Sequence, residues 1–285
     1  MEVRAFSKIN LFLNIASRRV DGYHNIESVM QSLAFCDTIR IQECGEHSGQ
    51  VALTCSHPSL KTNHENLIVK AALLLMREFG IASSIAIHLE KRIPIGAGLG
   101  GGSSNCAATL HGLNHLFKLG IDLPQLMRIG ASLGADVPFC LHGGTAIARG
   151  IGEELSSLPA HPPCAILLAS PSIHVSTAAI FGKLSPHMFN SGATLDTFLE
   201  AYKSHNLAQI AANLSNSFTV ITGEQLPLIP QLISAMLQHG ALGANMTGTG
   251  STVFGYFNNE NDANKARDIL QQKYKEIKFI TTTLI

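Results

Sequence analysis

A glycine-rich stretch in the first half of the chain holds the residues whose types and spacing best suit chemistry. Residues 94–104 read Pro-Ile-Gly-Ala-Gly-Leu-Gly-Gly-Gly-Ser-Ser. Glycines let the backbone approach a ligand closely and take positive φ angles. The stretch opens a predicted helix, capped by Ser103 or Ser104, whose first amide groups and dipole favour an anion. We therefore predict a loop that binds a phosphate chain, with a flexible linker as the alternative.

Two known nucleotide-binding motifs do not explain this loop. A Walker A loop needs a lysine after its last glycine, where this chain has Ser103. Gly96, Gly98 and Gly101 formally fit G-x-G-x-x-G. However, a dinucleotide fingerprint follows the first strand of a parallel unit, whereas this loop follows several predicted strands.

Lys8 and Asn10 lie two positions apart in an alternating, strand-like segment at the start of the chain. Their side chains should share one face of the strand, about 7 Å apart. A cation beside an amide suits a site that handles a hydroxyl and phosphate oxygens. A solvated strand face is the commoner explanation for such a pair.

Asp136 follows a predicted helix end within the apolar segment Gly-Ala-Asp-Val-Pro-Phe at 134–139. Its carboxylate is either a cap or turn residue, or a base that takes the proton of a hydroxyl during phosphoryl transfer.

A second small-residue segment, 245–251 (Asn-Met-Thr-Gly-Thr-Gly-Ser), separates a helix from a strand. It can close over phosphates, or it is an ordinary turn.

Histidine and cysteine spacing gives little support for a metal site. His111 and His115 are separated by one helical turn, but Gly112 stands where a metalloprotease helix needs glutamate. The six cysteines form no C-x-x-C pair, so zinc and thioredoxin-type chemistry have no local support. The sequence therefore does not identify which residues would bind a metal ion.

Composition narrows the class of protein. Of 285 residues, 46% are apolar and 14% charged, enough for a sizeable core. Twenty basic and twenty acidic residues cancel without a basic run, so we expect no nucleic acid partner. We see no apolar run long enough for a membrane span and no signal peptide. With scattered cysteines, the chain is typical of a reduced cytosolic protein.

The predicted elements mix strands and helices without a β-α-β rhythm, which favours an α+β fold over a doubly wound sheet. Strands are predicted over 3–15, 28–35, 38–43, 51–55, 85–89, 165–169, 252–257 and 278–284. Helices are predicted over 66–79, 105–117, 124–133 and 262–272, and a turn over 19–24. Glycine, serine and proline around 150–163 mark a boundary, giving domains 1–155 and 156–285.

Together these segments resemble the superfamily of galactokinase, homoserine kinase, mevalonate kinase and phosphomevalonate kinase. Its three motifs, an N-terminal lysine strand, a central glycine loop and a C-terminal glycine loop, occur here in order between residues 8 and 251. The resemblance implies a two-domain α+β kinase fold, with the glycine loop in the N-terminal domain and a ferredoxin-like C-terminal domain. It also implies ATP and Mg²⁺ as cofactors.

The extra glycines of the central loop and the segments 8–11 (Lys-Ile-Asn-Leu) and 19–24 (Arg-Val-Asp-Gly-Tyr-His) narrow the resemblance. They are similar to one superfamily member, whose substrate is a methylerythritol joined to cytidine diphosphate. The implied reaction phosphorylates its 2-hydroxyl in the non-mevalonate route to isoprenoid precursors, which is found in bacteria and plastids. Because we see no transit peptide, we expect a bacterial, cytoplasmic protein. No oligomeric state is predicted.

The resemblance also implies residue roles. Asp136 matches the family's base, and Lys8 the lysine beside it, which would keep the carboxylate ionised. Asn10 would help place the erythritol. Tyr23 and Phe181 would sandwich the cytosine, and His24 would bond its edge. Expected nucleotide-binding residues are Gly96, Gly98, Leu99, Gly100, Gly101, Gly102, Ser103, Ser104, Asn66 and Lys91; Thr247 and Gly248 are expected at the substrate.

Three other functions compete with this hypothesis. The first is another kinase of the superfamily; the turn at 21–24 distinguishes it, because a cytosine site needs this turn and the substrates of the other kinases do not. A nicotinamide-dependent oxidoreductase would use the formal G-x-G-x-x-G. A nucleotide-binding module without catalysis would lose nothing when Asp136 is changed to alanine.

Overall fold

The computed structural model describes residues 1–45, 48–171, 173–189 and 193–285. Its strands are β1 (Glu2–Arg18), β2 (His24–Glu43), β3 (Val51–Cys55), β4 (Ile85–Glu90), β5 (Thr145–Arg149), β6 (Glu154–Ser157), β7 (Ala165–Pro171), β8 (Ser215–Asn216), β9 (Gly243–Met246), β10 (Val253–Phe257) and β11 (Ile277–Thr283). Its helices are α1 (Leu67–Phe79), α2 (Gly101–Leu116), α3 (Leu123–Ala131), α4 (Val137–His142), α5 (Thr177–Phe181), α6 (Leu195–Lys203), α7 (Leu207–Ala212), α8 (Phe218–Gln225), α9 (Leu228–Gln238) and α10 (Glu260–Lys273), with a 3-10 turn at Pro186–Met188.

The chain divides into two compact units whose segments alternate along the sequence. Unit 1 contains Met1–Ser7, Phe35–Ile93 and Gly100–Gly143, and unit 2 contains Lys8–Ala34, Pro94–Leu99 and Gly144–Ile285. Strands β1 and β2 therefore contribute residues to both. The sequence-based division into 1–155 and 156–285 uses a single cut in the chain, and it stays a prediction.

Unit 1 combines strands with helices α1–α4 around an apolar core. Strand β4 pairs antiparallel with the end of β2, with Ile41 opposite Ile87, and parallel with β3. Helix α1 begins as its sequence predicts, because the side chain of Asn66 accepts a hydrogen bond from the Ile68 amide. It ends at Gly80, whose left-handed φ of 65° suits glycine.

Unit 2 contains an antiparallel sheet in the order β11-β7-β10-β9. Along the chain, helices and the two-residue strand β8, which belongs to another sheet, separate β7 from β9; β10 then follows directly, and α10 leads to β11. This β-α-β-β-α-β arrangement of the four-stranded sheet is ferredoxin-like, as the resemblance to the kinase superfamily implies. Apolar residues from the sheet and from α5, α8, α9 and α10 form the core of this unit. Within the described part of the chain, every helix is too short or too polar to cross a membrane.

Two local predictions are wrong. Segments 28–35 and 38–43 belong to one continuous strand, β2, because no glycine or proline interrupts them. Neither Ser103 nor Ser104 caps α2: the N-cap is Gly100, with a φ of 68° and no side-chain hydrogen bond. The left-handed glycine lets the helix begin earlier, which places both serines inside its first turns.

Candidate active site

The glycine-rich loop between β4 and α2 has a regular backbone pattern. Gly96, Gly98 and Gly100 have φ angles of 63°, 81° and 68°, all in the left-handed region. Glycine adopts this region without steric cost, which explains its use at alternate positions. The first amide groups of α2 follow directly, and they have no acceptor within the helix. The arrangement suits an anion such as a phosphate group.

The second small-residue loop lies against the first part of the glycine-rich loop in unit 2. A Cβ at Gly98 would fall well inside contact distance of the Thr247 carbonyl oxygen and 3.1 Å from its carbon. The Thr247 hydroxyl is 3.3 Å from the Gly98 carbonyl oxygen. The Thr252 amide donates to the Ala97 carbonyl at 3.2 Å. Segment 245–251 is thus more than an isolated turn, since its backbone supports the residues around Gly98.

Lys8 and Asn10 share one face of β1, as their spacing predicted. The Lys8 ammonium donates to Asn10 Oδ1 at 2.8 Å. The interpretation as a solvated strand face is wrong, because only 4% of Lys8 and 2% of Asn10 is exposed. Asn10 Oδ1 also accepts from the Gly248 amide at 3.1 Å, and the Lys8 amide donates to the Leu99 carbonyl. One buried cluster therefore joins the lysine strand to both loops.

Asp136 is the N-cap residue of α4 in unit 1, yet its carboxylate makes no capping hydrogen bond. A helix cap therefore has no support, but Asp136 does lie in the turn that leads into α4, so its role as a base stays a prediction. The segment lies beside the first turns of α2, because a Cβ at Gly134 would be 3.9 Å from Ser103 Oγ. A carboxylate in this segment suits the predicted base that accepts a hydroxyl proton.

Asn66 and Lys91 have structural partners. Asn66 caps α1 and also donates to the Lys61 carbonyl at 2.7 Å. The Lys91 ammonium is 4% exposed and forms an ion pair with Asp37, and it donates to Asn105 Oδ1 at 3.2 Å. Burial lowers the pKa of Lys91, and the Asp37 carboxylate opposes that shift. Their role in nucleotide binding stays a prediction.

Asp37 is the residue that sequence reasoning missed. Its carboxylate is fully buried and accepts from the amides of Arg92 and Ile93 at 2.7 and 2.8 Å, and from Asn105 Nδ2 at 2.8 Å. It therefore joins the residues entering the glycine-rich loop to helix α2. The local signal was weak: an acid beside Cys36, in the gap between two predicted strands, where a charge is costly if it is buried without a partner.

The predicted cytosine residues differ in their surroundings. The rings of His24 and Phe181 are 5.3 Å apart between centroids, and Phe181 also packs against Phe218 at 4.8 Å. Burial, followed by the nearby Arg18 charge, lowers the pKa of His24. Tyr23 is adjacent in sequence but 60% exposed, at the turn. The structure brings His24 and Phe181 together and leaves the Tyr23 ring open to solvent.

Comparison with known proteins identifies the family. Residues 66–144 match the GHMP kinases N terminal domain, and residues 198–276 match the GHMP kinases C terminal domain. The chain belongs to the GHMP kinases. As a member, it is an ATP-dependent small-molecule kinase, and the resemblance to this superfamily and its two-domain α+β fold is confirmed.

Relatives of this GHMP kinase carry a narrower name. A protein of Caldicellulosiruptor bescii called 4-diphosphocytidyl-2-C-methyl-D-erythritol kinase is 41% identical over 99% of this chain and 98% of its own length. That of Caldicellulosiruptor saccharolyticus is 42% identical over 99% and 97%. A solved 4-(cytidine 5'-diphospho)-2C-methyl-D-erythritol kinase matches with a TM-score of 0.84 and 32% identity, over 100% of this chain and 99% of its own.

Proposed function

We propose that this GHMP kinase transfers the γ-phosphoryl group of ATP to the 2-hydroxyl of 4-diphosphocytidyl-2-C-methyl-D-erythritol. The products are the 2-phosphate and ADP, in the non-mevalonate route to isoprenoid precursors. The observation that carries the proposal is the full-length similarity, at 41 and 42% identity, to relatives named for this activity. A mevalonate kinase and a homoserine kinase match at only 15 and 18% identity, which supports the fold alone.

The proposed reaction moves one phosphoryl group and one proton. The 2-hydroxyl oxygen forms a bond to the γ-phosphorus, the bond from that phosphorus to the bridging oxygen breaks, and ADP leaves. The hydroxyl proton passes to the Asp136 carboxylate. We assign to Lys8 the role that the family resemblance implies, which is to favour the ionised carboxylate and orient the hydroxyl.

The two glycine loops are proposed to hold the anionic groups. Positive φ angles at Gly96, Gly98 and Gly100, followed by the α2 amides, support a phosphate cradle that ends at Ser103 and Ser104. Asn10 Oδ1 accepts hydrogen bonds from the Lys8 ammonium, the Thr247 hydroxyl and the Gly248 amide, and Asn10 is thereby proposed to help place the erythritol unit.

His24, Phe181 and Tyr23 are proposed to recognise the cytosine. Because burial lowers the pKa of His24, its ring is neutral near pH 7, with one donor and one acceptor nitrogen. A neutral ring can match the mixed donor and acceptor edge of a base, whereas an imidazolium only donates. The exposed Tyr23 ring is available for stacking, and the Phe181 ring supplies a second aromatic surface.

Mg²⁺ is proposed as a cofactor because the family resemblance implies it. Mg²⁺ prefers oxygen ligands and is commonly held by one or two carboxylates together with substrate phosphates and water. Within the described ranges, no three His, Cys, Asp or Glu side chains converge on a metal site. The Ser103 hydroxyl, which lies near Gly134, would offer one hard oxygen donor. When bound, the ion would neutralise charge on the transferred phosphate.

The remaining expectations stay part of this proposal. We place the enzyme in the cytoplasm of a bacterium, as its relatives are bacterial proteins. Its partner is a small molecule with a cytidine diphosphate group, and no nucleic acid takes part.

A coupled ADP-release assay tests the proposal. Purified protein is given ATP, Mg²⁺ and either 4-diphosphocytidyl-2-C-methyl-D-erythritol, mevalonate or homoserine. We expect turnover with the cytidyl substrate alone. Turnover with another alcohol would retain the kinase but reject the cytosine roles of Tyr23, His24 and Phe181. ATP binding without turnover on any of them would reject the substrate.

A further inference from the structure

The imidazole of His174 lies against the first glycine of the glycine-rich loop. A Cβ built at Gly96 would be 2.6 Å from His174 Cε1 and closer still to Nδ1. The ring thus occupies the space that any other side chain at position 96 would fill. His174 is nevertheless exposed to solvent, so its ring is not a satisfied core histidine.

Hydrogen bonds of unit 2 fix the backbone that carries this ring. The buried Ser251 hydroxyl donates to the carbonyl of Ile173, the preceding residue, at 2.7 Å. The hydroxyls of Thr177 and Thr249 are 3.2 Å apart. The second glycine loop, which also supports the backbone around Ala97 and Gly98, therefore holds the segment on both sides of His174.

An imidazole has the chemistry that this position needs. An imidazole has one N–H donor when it is neutral and two when it is protonated. The glycine-rich loop beside it is the proposed binding site for an anionic phosphate group. His174 lies between the two segments that match the kinase domains, 66–144 and 198–276, so neither match covers it. An exposed histidine is commonly a surface residue without function, but this one lies on a positive-φ glycine of the proposed phosphate loop.

We propose that His174 donates a hydrogen bond to a diphosphate oxygen of a bound substrate at Gly96. Both substrates of the proposed function carry a diphosphate, ATP in its triphosphate chain and the second substrate in its cytidine diphosphate. The inference rests on that proposed function for the identity of the second ligand. The shared chemistry is the phosphate oxygen, and the experiment distinguishes the two sources.

The test compares His174→Ala with His174→Asn, which keeps an N–H donor near the position of Nδ1. The control is His111→Ala, an exposed histidine on α2 outside the proposed site. Dissociation constants for ADP and for CDP are measured by calorimetry, and KM for both substrates by the coupled assay. We expect the alanine variant to weaken one of the two ligands about tenfold, as befits one hydrogen bond to a charged group. The asparagine variant should recover part of that loss, and the control should bind as wild type does.

The outcomes separate the two proposals. Weaker ADP binding assigns His174 to ATP, and weaker CDP binding assigns it to the cytidyl substrate. Unchanged affinity for both overturns the inference, as does a loss of kcat alone with both affinities unchanged. If wild type fails to turn over the cytidyl substrate, the proposed function fails by itself, and the ADP and CDP constants still decide the role of His174.

Discussion

Removing the Lys91 ammonium should destabilise unit 1 strongly. Lys91 is 4% exposed and its partner Asp37 is fully buried, so Lys91→Met leaves a carboxylate in the interior without its cation. Breaking a buried pair on one side costs roughly 3–5 kcal/mol. Asp37 keeps three donors, the amides of Arg92 and Ile93 and the Asn105 side chain, which compensate part of its charge. We therefore expect Lys91→Met to lower the free energy of unfolding by about 3 kcal/mol, the lower end of that range. This loss is measured as a decrease in the urea midpoint of unfolding.

The double variant Lys91→Met/Asp37→Asn provides the decisive comparison. It removes both charges, while the asparagine oxygen can still accept from the two backbone amides. We expect the two substitutions together to cost clearly less than the sum of the single ones, with a coupling of about 1–3 kcal/mol. Arg40→Met is the control, because its pair with Glu2 is largely exposed and should contribute little. Additive costs, or a Lys91→Met variant as stable as Arg40→Met, would refute the reasoning.

Three further predictions address the site and the stability of unit 2. Asp136→Asn should lower kcat by about 10²–10⁴-fold with ADP affinity unchanged, as loss of a general base does, and unchanged kcat would exclude that role. Gly98→Ala should lower stability and activity more than Gly22→Ala does. Both glycines have positive φ, but only at Gly98 would a Cβ collide with Thr247. Equal losses in the two variants would contradict the close approach of Thr247 to Gly98. Burial lowers the pKa of His161, so as the pH falls the unfolded state binds the proton before the folded state does, and the free energy of unfolding should fall as pH drops below about 6.5. His161→Gln should therefore reduce the change in thermal midpoint between about pH 7.5 and 5.5. A variant with the same pH dependence as wild type would contradict this role of His161.

Sequence patterns predicted the elements that depend on local chemistry. Helix α1, Leu67–Phe79, lies within one residue of the predicted range 66–79, and the Asn66 side chain and the left-handed Gly80 bound it. Strand β3, Val51–Cys55, has the predicted bounds. The start of α2 was misplaced because hydroxyl caps are the commoner signal, whereas the backbone at Gly100 begins the helix without one.

Asp37 shows why part of the network could not be predicted. An acid in a strand can face water or the interior, and only its partners distinguish the two. Those partners, at 91–93 and 105, are 54 to 68 residues away in the chain. No pattern around residue 37 indicates them, so its role in holding the start of the glycine-rich loop required the structure.

Lys8 and Asn10 illustrate the same limit at the candidate site itself. Their spacing correctly placed both side chains on one face of β1, but local sequence favoured a solvated face, and both are buried. The partners that explain this burial, Thr247 and Gly248, are 237 and 238 residues beyond Asn10. A charge in the interior is costly unless it is hydrogen-bonded. A lysine kept there, with its ammonium on an amide that also holds a glycine loop, is therefore better explained by a task on a bound ligand than by stability.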